Sequence, residues 1–357
     1  MSGGRRSLAP RPRSLRPIRR VPNAEGPSYP APVAHGSTWV LHPSIRDRLH
    51  QKSALGRRIE GDVHVNAVEL LFTHWHRHVE LPSSTWVEDQ LRHQQDFLHQ
   101  AVAFEHARLG GGLLVPIEHT PVTAALGTWC LRWERSSNAH QDPPIGEVRW
   151  ARGSDSLDWR ELDDWTSRVE DAGRFAEVLV VDDEFEVTSY RFHHVDPTGT
   201  HLRPRDSGLE DLTHIRRLAE MEAQAGYLPD EGIEWPLPQM GVRNAGGTIL
   251  SKLEWEALKD APDEPEQDDA ALLWALLDRG LLVRPGFKFG CEWRAYDLDM
   301  DATHAPWLIQ PNWRSPVIWE GVCLAARLAA GVNKTWVTAF RIGGWRFLSV
   351  NRTSVRS

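Results

Sequence analysis

The chain has 357 residues, 41% of them hydrophobic and 25% charged, with a formal net charge of −8. That length favours two or more cores, and no run approaches the roughly 20 apolar residues of a membrane span. The negative balance argues against a protein that coats nucleic acid indiscriminately. Three scattered cysteines, Cys130, Cys291 and Cys323, do not make a disulfide framework or a zinc cluster. The expected setting is therefore reducing and cytoplasmic.

Residues 1–20 carry seven arginines and no acid, a composition that builds no core and reads as a disordered tail. Three readings of it stay open: an RNA-attracting segment, an organelle transit peptide, or a misplaced start codon. Pro27 to Pro32 reads as a Pro-rich linker, with ordered sequence starting near Thr38. Asn66 to Trp75 and Trp86 to Leu109 carry apolar residues at helical spacing, and Ser83-Ser84-Thr85 offers a cap for the second. After a Gly-Gly-Gly breaker, Leu113 to Pro116 and Trp129 to Trp133 read as strands. Leu157 to Arg168 is a further amphipathic helix, and strands Ala176 to Val181 and Glu186 to Phe192 flank the acidic turn Asp182-Asp183-Glu184. The 17 tryptophans are spread along the chain, as core and interface residues would be.

The pattern then repeats. Gly112-Leu-Leu-Val answers Gly280-Leu-Leu-Val, and Leu126 to Glu134 answers Phe289 to Asp297, which sets Trp133 opposite Tyr296. Arg168 to Phe175 and Arg327 to Lys334 are equally spaced, which sets Phe175 opposite Lys334. Upstream, Val63 to Leu71 resembles Thr248 to Glu256 as a strand entering a helix, and Ala261 to Asp269 reads as a solvated acidic loop. The expected fold is α+β: a tandem repeat, each copy a small helix-and-strand domain followed by an α/β domain.

The densest motif runs Arg279-Gly-Leu-Leu-Val-Arg-Pro-Gly-Phe-Lys-Phe-Gly-Cys-Glu-Trp-Arg-Ala-Tyr296. His304-Ala-Pro-Trp-Leu-Ile follows, and then Ala325-Ala-Arg-Leu-Ala-Ala-Gly-Val-Asn-Lys334. This run resembles the catalytic domain of the archaeal tRNA-splicing endonucleases. Those enzymes share an Arg-Gly turn leading to Gly-Phe-Lys-Phe-Gly, an aromatic strand ending in Tyr, a His-Ser, and a helix closing with Lys. The resemblance spans about residues 38–357, strongly over 279–340 and weakly over 201–250. One departure is plain: His-Ser is His304-Ala305 here, with Pro306 next, so the Ser hydroxyl is absent.

The resemblance implies that Tyr296 is a general base, His304 a general acid and Lys334 a transition-state stabiliser. The implied substrate is the bulge–helix–bulge of precursor tRNA, cut without metal or other cofactor to 2′,3′-cyclic phosphate and 5′-OH ends. The residue types suit that chemistry. A base must take the 2′-OH proton, an acid must protonate the leaving 5′-oxygen, and a cation must balance charge on the phosphorane. Histidine titrates near neutral pH, whereas tyrosine, with a pKa of about 10, needs a nearby cation to serve as a base. Taken singly, Tyr296 would read as a core aromatic, His304 as a loop residue and Lys334 as a charge at a helix end; the family spacing turns that reading around.

Further features follow from the resemblance. Arg327 is implied as one arginine of a pair clamping a bulged base by cation–π stacking, with Arg352 the second and Arg346 its competitor. Asp182, Asp183 and Glu184 are implied as an acidic loop entering a basic cleft of a second copy, giving a homodimer of two-repeat chains; the alternative is an ordinary charged hairpin turn. The first half, with Trp133, Phe175 and no matching His (His140 lies in a polar loop), reads as a degenerate copy.

His74-Trp-His-Arg-His78 has two imidazoles one helical turn apart but lacks further ligands, so a polar helix face is the better reading. The expected divisions are a 1–37 tail, a 38–109 N-terminal domain, a 110–200 non-catalytic nuclease-like mixed sheet flanked by helices, a 201–276 N-terminal domain and a 277–357 catalytic nuclease domain. Two rivals remain: a non-cutting structural subunit, which purified protein that cleaves alone would exclude, and a metal-dependent nuclease. The latter would draw on Asp297, Asp299 and Asp301, and full activity in EDTA would exclude it.

Overall fold

The computed structural model describes residues 28–109, 111–206, 220–222, 225–229, 237, 239–244, 246–257, 268–300 and 304–353. The Arg-rich tail and most of the acidic stretch from Ala261 lie outside the described residues. Within that stretch, Asp268 is described, and its carboxylate accepts from the amides of Ala270 and Ala271 to cap the helix Asp269–Leu277.

Ten strands form the central sheet. In chain order the first five are β5 (Leu113–Pro116), β6 (Cys130–Trp133), β7 (Gly146–Arg152), β8 (Phe175–Val181) and β9 (Val187–Val195). The second five are β14 (Leu282–Pro285), β15 (Trp293–Tyr296), β16 (Trp307–Pro311), β17 (Thr335–Arg341) and β18 (Trp345–Thr353). The sheet order is β14-β15-β16-β17-β18-β9-β8-β7-β6-β5. In each half two antiparallel pairings are followed by one parallel pairing and a closing antiparallel hairpin. The parallel crossover in each half is a helix of 13 residues, α5 (Trp159–Asp171) and α8 (Trp319–Gly331), as a parallel connection requires.

Both crossover helices cover one face of the sheet. Trp159, Leu162, Trp165 and Val169 from α5 and Trp319, Val322, Ala326 and Ala329 from α8 share a core with Trp336 and Val350. Helices α4 (Phe97–Leu109) and α7 (Asp269–Leu277) pack on the opposite face, against Leu114, Val148 and Leu179 and against Val283, Ala295 and Val337 respectively. Each half also has a four-stranded antiparallel sheet of matching order: β1-β2-β4-β3 (Val33–His35, Thr38–Val40, Asp62–Val65, Arg57–Ile59) and β10-β11-β13-β12 (Glu220–Glu222, Ala225–Pro229, Gly247–Ser251, Val242–Asn244).

The halves join where β9 and β18 pair antiparallel, from Phe347↔Val195 to Thr353↔Ser189. A charged network crosses that seam. His194 on β9 faces Asp163 with Nε2 and Glu170 with Nδ1, and Arg346 on β18 pairs with Asp163 at 2.7 Å. Asp163 is fully buried, so its charge requires these partners.

Three readings of the sequence need correction. Structure begins earlier than Thr38: Tyr29 donates to His78 and accepts from Glu80, and β1 at Val33–His35 is a sheet edge inside the expected tail. The run Trp86 to Leu109 is two helices, α3 (Trp86–His93) and α4, because Gln94 turns extended and the Asp96 carbonyl starts a new ladder by accepting from Gln100. Thr85 precedes α3 but its hydroxyl donates to Asp89 rather than capping the backbone. Finally, Leu113 and Leu282 hold the same register position, opposite Trp133 and Tyr296. The two Gly-Leu-Leu-Val runs are thus offset by one residue, since Gly280, at φ +74, turns against Gly199 and leaves Leu281 buried ahead of the strand.

The seam network sets a pH dependence. Burial lowers the His194 pKa, but hydrogen bonds to Asp163 and Glu170 outweigh it and hold the value above the ordinary 6.5. A raised folded pKa gives stability that is complete below the unfolded value and lost as pH rises through the folded one. The melting temperature of wild type should therefore exceed that of His194→Gln at pH 6, the gap closing as pH rises past the folded value; a gap constant from pH 5 to 9 would contradict this.

Candidate active site

Gly-Phe-Lys-Phe-Gly forms the turn between β14 and β15. Phe287–Phe289 is one 3-10 turn, Gly290 closes it at φ 68, and a Cβ on Gly286 would meet Cys291 Sγ at 2.5 Å. Glycine is therefore required at both ends. The turn carries Phe289 beneath two cations: Arg294 lies 5.7 Å and Lys334 Nζ 5.6 Å from its ring centre.

Strand alternation then sorts the side chains of β15. Trp293 and Ala295 enter the α7 core, which leaves Arg294 and Tyr296 on the α8 face. Ala295 pairs with Trp307, and Trp307 with Thr335. One step beyond, Tyr296, Pro306 and Lys334 fall in a single row at the strand ends. The Thr335 amide donates to the Pro306 carbonyl at 2.9 Å, and the Lys334 ammonium donates to the carbonyl of Ala305. Ala305 also packs against Tyr296 and Leu282. His304, the residue before, is exposed. With strands about 4.8 Å apart, Tyr296 and Lys334 stand roughly 10 Å from each other at the backbone, with the His304 segment between them. The row thus sets Tyr296 and Lys334 on either side of the Ala305–Pro306 segment, with His304 the exposed residue before it.

Electrostatically the row is cationic. Burial lowers the Lys334 pKa, Arg294 lowers it further, and Cys291 opposes them. Arg294 lies 5.9 Å from the Tyr296 ring centre, and Arg284 sits directly opposite it on β14. Burial lowers the Arg284 pKa, and the charge of Glu254 opposes that. Neither arginine stands out in the sequence, although Arg294 stands two residues before Tyr296, the spacing at which strand residues share a face.

In the first half the same positions are apolar. Val115 and Leu131 hold the places of Arg284 and Arg294, and with Trp133 and Ala54 they make a closed cluster. Trp133 is buried and donates from Nε1 to the Asp142 carbonyl at 2.8 Å. His140 instead bonds the His50 carbonyl at 2.9 Å. The residue at the place of Lys334 is Arg174 and not Phe175. Phe175 pairs with Gly146 as Thr335 pairs with Trp307, and the helices and strands of the two halves match in length. Arg174 is a cation with a fixed partner, 2.8 Å from Glu147. The equal spacing from Arg168 is not the structural one, since Ser167 matches Arg327 in the two helices.

Arg327 and Arg352 line one cavity of about 390 Å³ at the seam, with Tyr190, Cys323 and Asp182. Arg346 is held by Asp163. Asp182 accepts from the amides of Glu184 and Glu186 at 3.0 and 2.9 Å, and the Phe185 ring lies 4.7 Å from that of His99; Asp183 and Glu184 are exposed. In the histidine cluster, His74 bonds the Val79 carbonyl at 2.8 Å and His76 bonds Glu105 at 2.9 Å. Among the described residues no three His, Cys, Asp or Glu side chains are grouped to hold a metal ion. Asp301 lies outside the described residues, and Asp299 faces His201 at 3.8 Å. No helix among the described residues is long and apolar enough to cross a membrane.

Residues 272–343 match the family described as tRNA intron endonuclease, catalytic C-terminal domain. The chain is 24% identical over 176 residues to a tRNA-splicing endonuclease of Thermoplasma volcanium, covering 49% of this chain and 54% of that protein. It is 26% identical over 157 residues to a tRNA-splicing endonuclease of Picrophilus torridus, covering 44% and 48%. The chain thus spans about half the length of the curated relatives it matches.

The contrast between the halves predicts unequal costs of substitution. No described residue accepts a hydrogen bond from the Tyr296 hydroxyl, so Tyr296→Phe should change unfolding free energy by under about 1 kcal/mol. Trp133→Ala should cost about 3–5 kcal/mol. Denaturant melts of both variants test this, and equal losses would contradict it.

Proposed function

We propose that this chain, whose residues 272–343 match the catalytic C-terminal domain of tRNA intron endonucleases, cuts precursor tRNA at bulge–helix–bulge exon–intron junctions, without a metal ion. The products are 2′,3′-cyclic phosphate and 5′-OH ends. The observation that carries this reading is the row Tyr296–Pro306–Lys334, with His304 beside it. Tyr296, Lys334 and the nearby His304 are of three different chemistries, and together they would cover the needs of the reaction. Tyr296 takes the 2′-OH proton, the 2′-oxygen attacks the adjacent phosphorus, His304 gives a proton to the departing 5′-oxygen, and Lys334 balances the charge on the phosphorane. A lysine whose burial disfavours its charge gains most when a phosphate arrives.

The matching strand order of the two halves supports descent from one repeated unit, with residues 38–200 kept for structure. The second copy of a homodimer would place Asp182, Asp183 and Glu184 against a basic cleft, and Arg327 with Arg352 would hold a bulge base from two sides. Their shared cavity supports the arginine pair. Sedimentation at assay concentration tests the dimer, and full cleavage by a monomer would contradict it.

The reaction is tested with end-labelled precursor tRNA in excess EDTA. Wild type should release cyclic-phosphate ends. Tyr296→Phe, His304→Ala and Lys334→Ala should each lose on the order of 10²–10⁴ in single-turnover rate, while gel-shift affinity survives. Loss of wild-type cleavage in EDTA, or undiminished cleavage by any of the three variants, would overturn the assignment.

A further inference from the structure

We propose that the cavity beside the β5–β6 hairpin is a binding site for a nucleotide, its phosphate at His119 and its base against the apolar wall that includes Trp133. The site lies in the first half and does not rest on the roles proposed for Tyr296, His304 and Lys334.

Three observations carry the inference. The first is the space itself. The cavity measures about 500 Å³, and His119, Thr120, Pro121 and Val122 line it together with Val115 and Trp133. The apolar cluster of Ala54, Val115 and Trp133 forms one wall. Mostly apolar walls, a few polar groups and this volume are the features of a pocket for a small ligand.

The second is His119. It ends the 3-10 turn Ile117–His119 that leads out of β5, and its side chain is only 4% exposed. Its Nδ1 lies 2.8 Å from a Glu69 carboxylate oxygen. That carboxylate is held in turn, accepting from the amides of Gly56 at 2.9 Å and Asn66 at 3.2 Å. One edge of the imidazole is thereby fixed, and among the described residues nothing pairs with Nε2 on the other edge. Burial lowers the His119 pKa, but the charge and hydrogen bond of Glu69 outweigh it and hold the value above the ordinary 6.5. A buried polar group without a partner is unfavourable. An anionic oxygen at Nε2 would supply a charge-assisted hydrogen bond.

The third is that the other polar groups around the cavity are already engaged. The Thr120 hydroxyl accepts from the Val122 amide at 3.2 Å, and the Asp142 carboxylate accepts from the Asn138 amide at 2.6 Å. His140 Nε2 bonds the His50 carbonyl at 2.9 Å. The Asp142 carbonyl takes the Trp133 Nε1 proton at 2.8 Å, which pins the indole as a rigid wall for a flat ring. His119 is left to orient a ligand. An anionic group at one end and an aromatic heterocycle at the other describe a nucleotide.

This nucleotide is not the one being cut. β15 is second and β6 ninth in the ten-stranded order, so at about 4.8 Å per strand the two places are roughly 30 Å apart. The ligand is either an unpaired nucleotide elsewhere in an RNA chain or a free mononucleotide, and both present the same chemistry.

The test uses 8-azidoadenosine 5′-monophosphate as a photoprobe on the full chain, comparing wild type, His119→Gln and Val122→Trp. The wild-type label should map to the lining segments, residues 54–56 and 115–143. Adenosine 5′-monophosphate should compete about tenfold better than adenosine, which lacks the phosphate. Equilibrium dialysis of the labelled monophosphate should show about tenfold weaker binding in His119→Gln. Binding should vanish in Val122→Trp, which fills the space and leaves His119 and Glu69 in place. Displacement by precursor tRNA identifies the source as RNA; displacement by mononucleotides alone identifies a free nucleotide. A label mapping elsewhere, adenosine competing as well as its monophosphate, or full binding in Val122→Trp would overturn the inference. Should His119→Gln fail to fold, the wild-type map and Val122→Trp decide it.

Discussion

The antiparallel pairing of β9 with β18 is the interaction on which the rest of the structure depends. Each five-stranded half would otherwise present a long open edge, which sheets ordinarily must cover. Joined at Phe347↔Val195 through Thr353↔Ser189, the halves make one sheet and share one core beneath α5 and α8, where Trp159 and Trp336 lie 5.6 Å apart. The polar contents of the molecule also gather along this line: the Asp163–His194–Arg346 network on one side, and the cavity of Arg327, Arg352 and Asp182 on the other. A change at the seam would therefore move both arginines relative to the row Tyr296–Pro306–Lys334.

The two halves use one scaffold for opposite ends. At the end of the β5–β6 hairpin an indole and two aliphatic side chains close a cavity wall by burial, the cheapest way to finish a sheet. At the end of β14–β15 the scaffold holds two arginines, a phenol and a lysine, a set that favours no packing by itself. Among the described residues these three cations bond backbone carbonyls and no carboxylate, an arrangement that gives up stability the apolar cluster of the first half keeps.

Much of this was legible in the sequence because glycine and aromatic residues mark geometry directly. Gly286 and Gly290 have steric reasons to be glycine, Phe289 underlies the cations, and the equivalence of Trp133 with Tyr296 is borne by the register. What escaped did so for physical reasons. Spacing from an arginine sets Phe175 opposite Lys334, whereas the strand register sets Arg174 there. The start at Tyr29 was hidden by prolines, whose neighbours pair here as an edge strand and an isolated bridge. Arg294 does not stand out in the sequence because an alternating charge carries no mark of its neighbours, and only the register sets it opposite Arg284 and near Tyr296.

The central claim is that Tyr296, His304 and Lys334 surround one phosphodiester. A crystal structure with precursor tRNA blocked by a 2′-deoxy group at the cleavage site tests it most directly. The account predicts His304 within about 3 Å of the 5′-oxygen, Lys334 within about 3 Å of a non-bridging oxygen, and Tyr296 facing the C2′ position. A scissile phosphate seated elsewhere, such as in the cavity of about 500 Å³ lined by Trp133, His119 and His140, would contradict it.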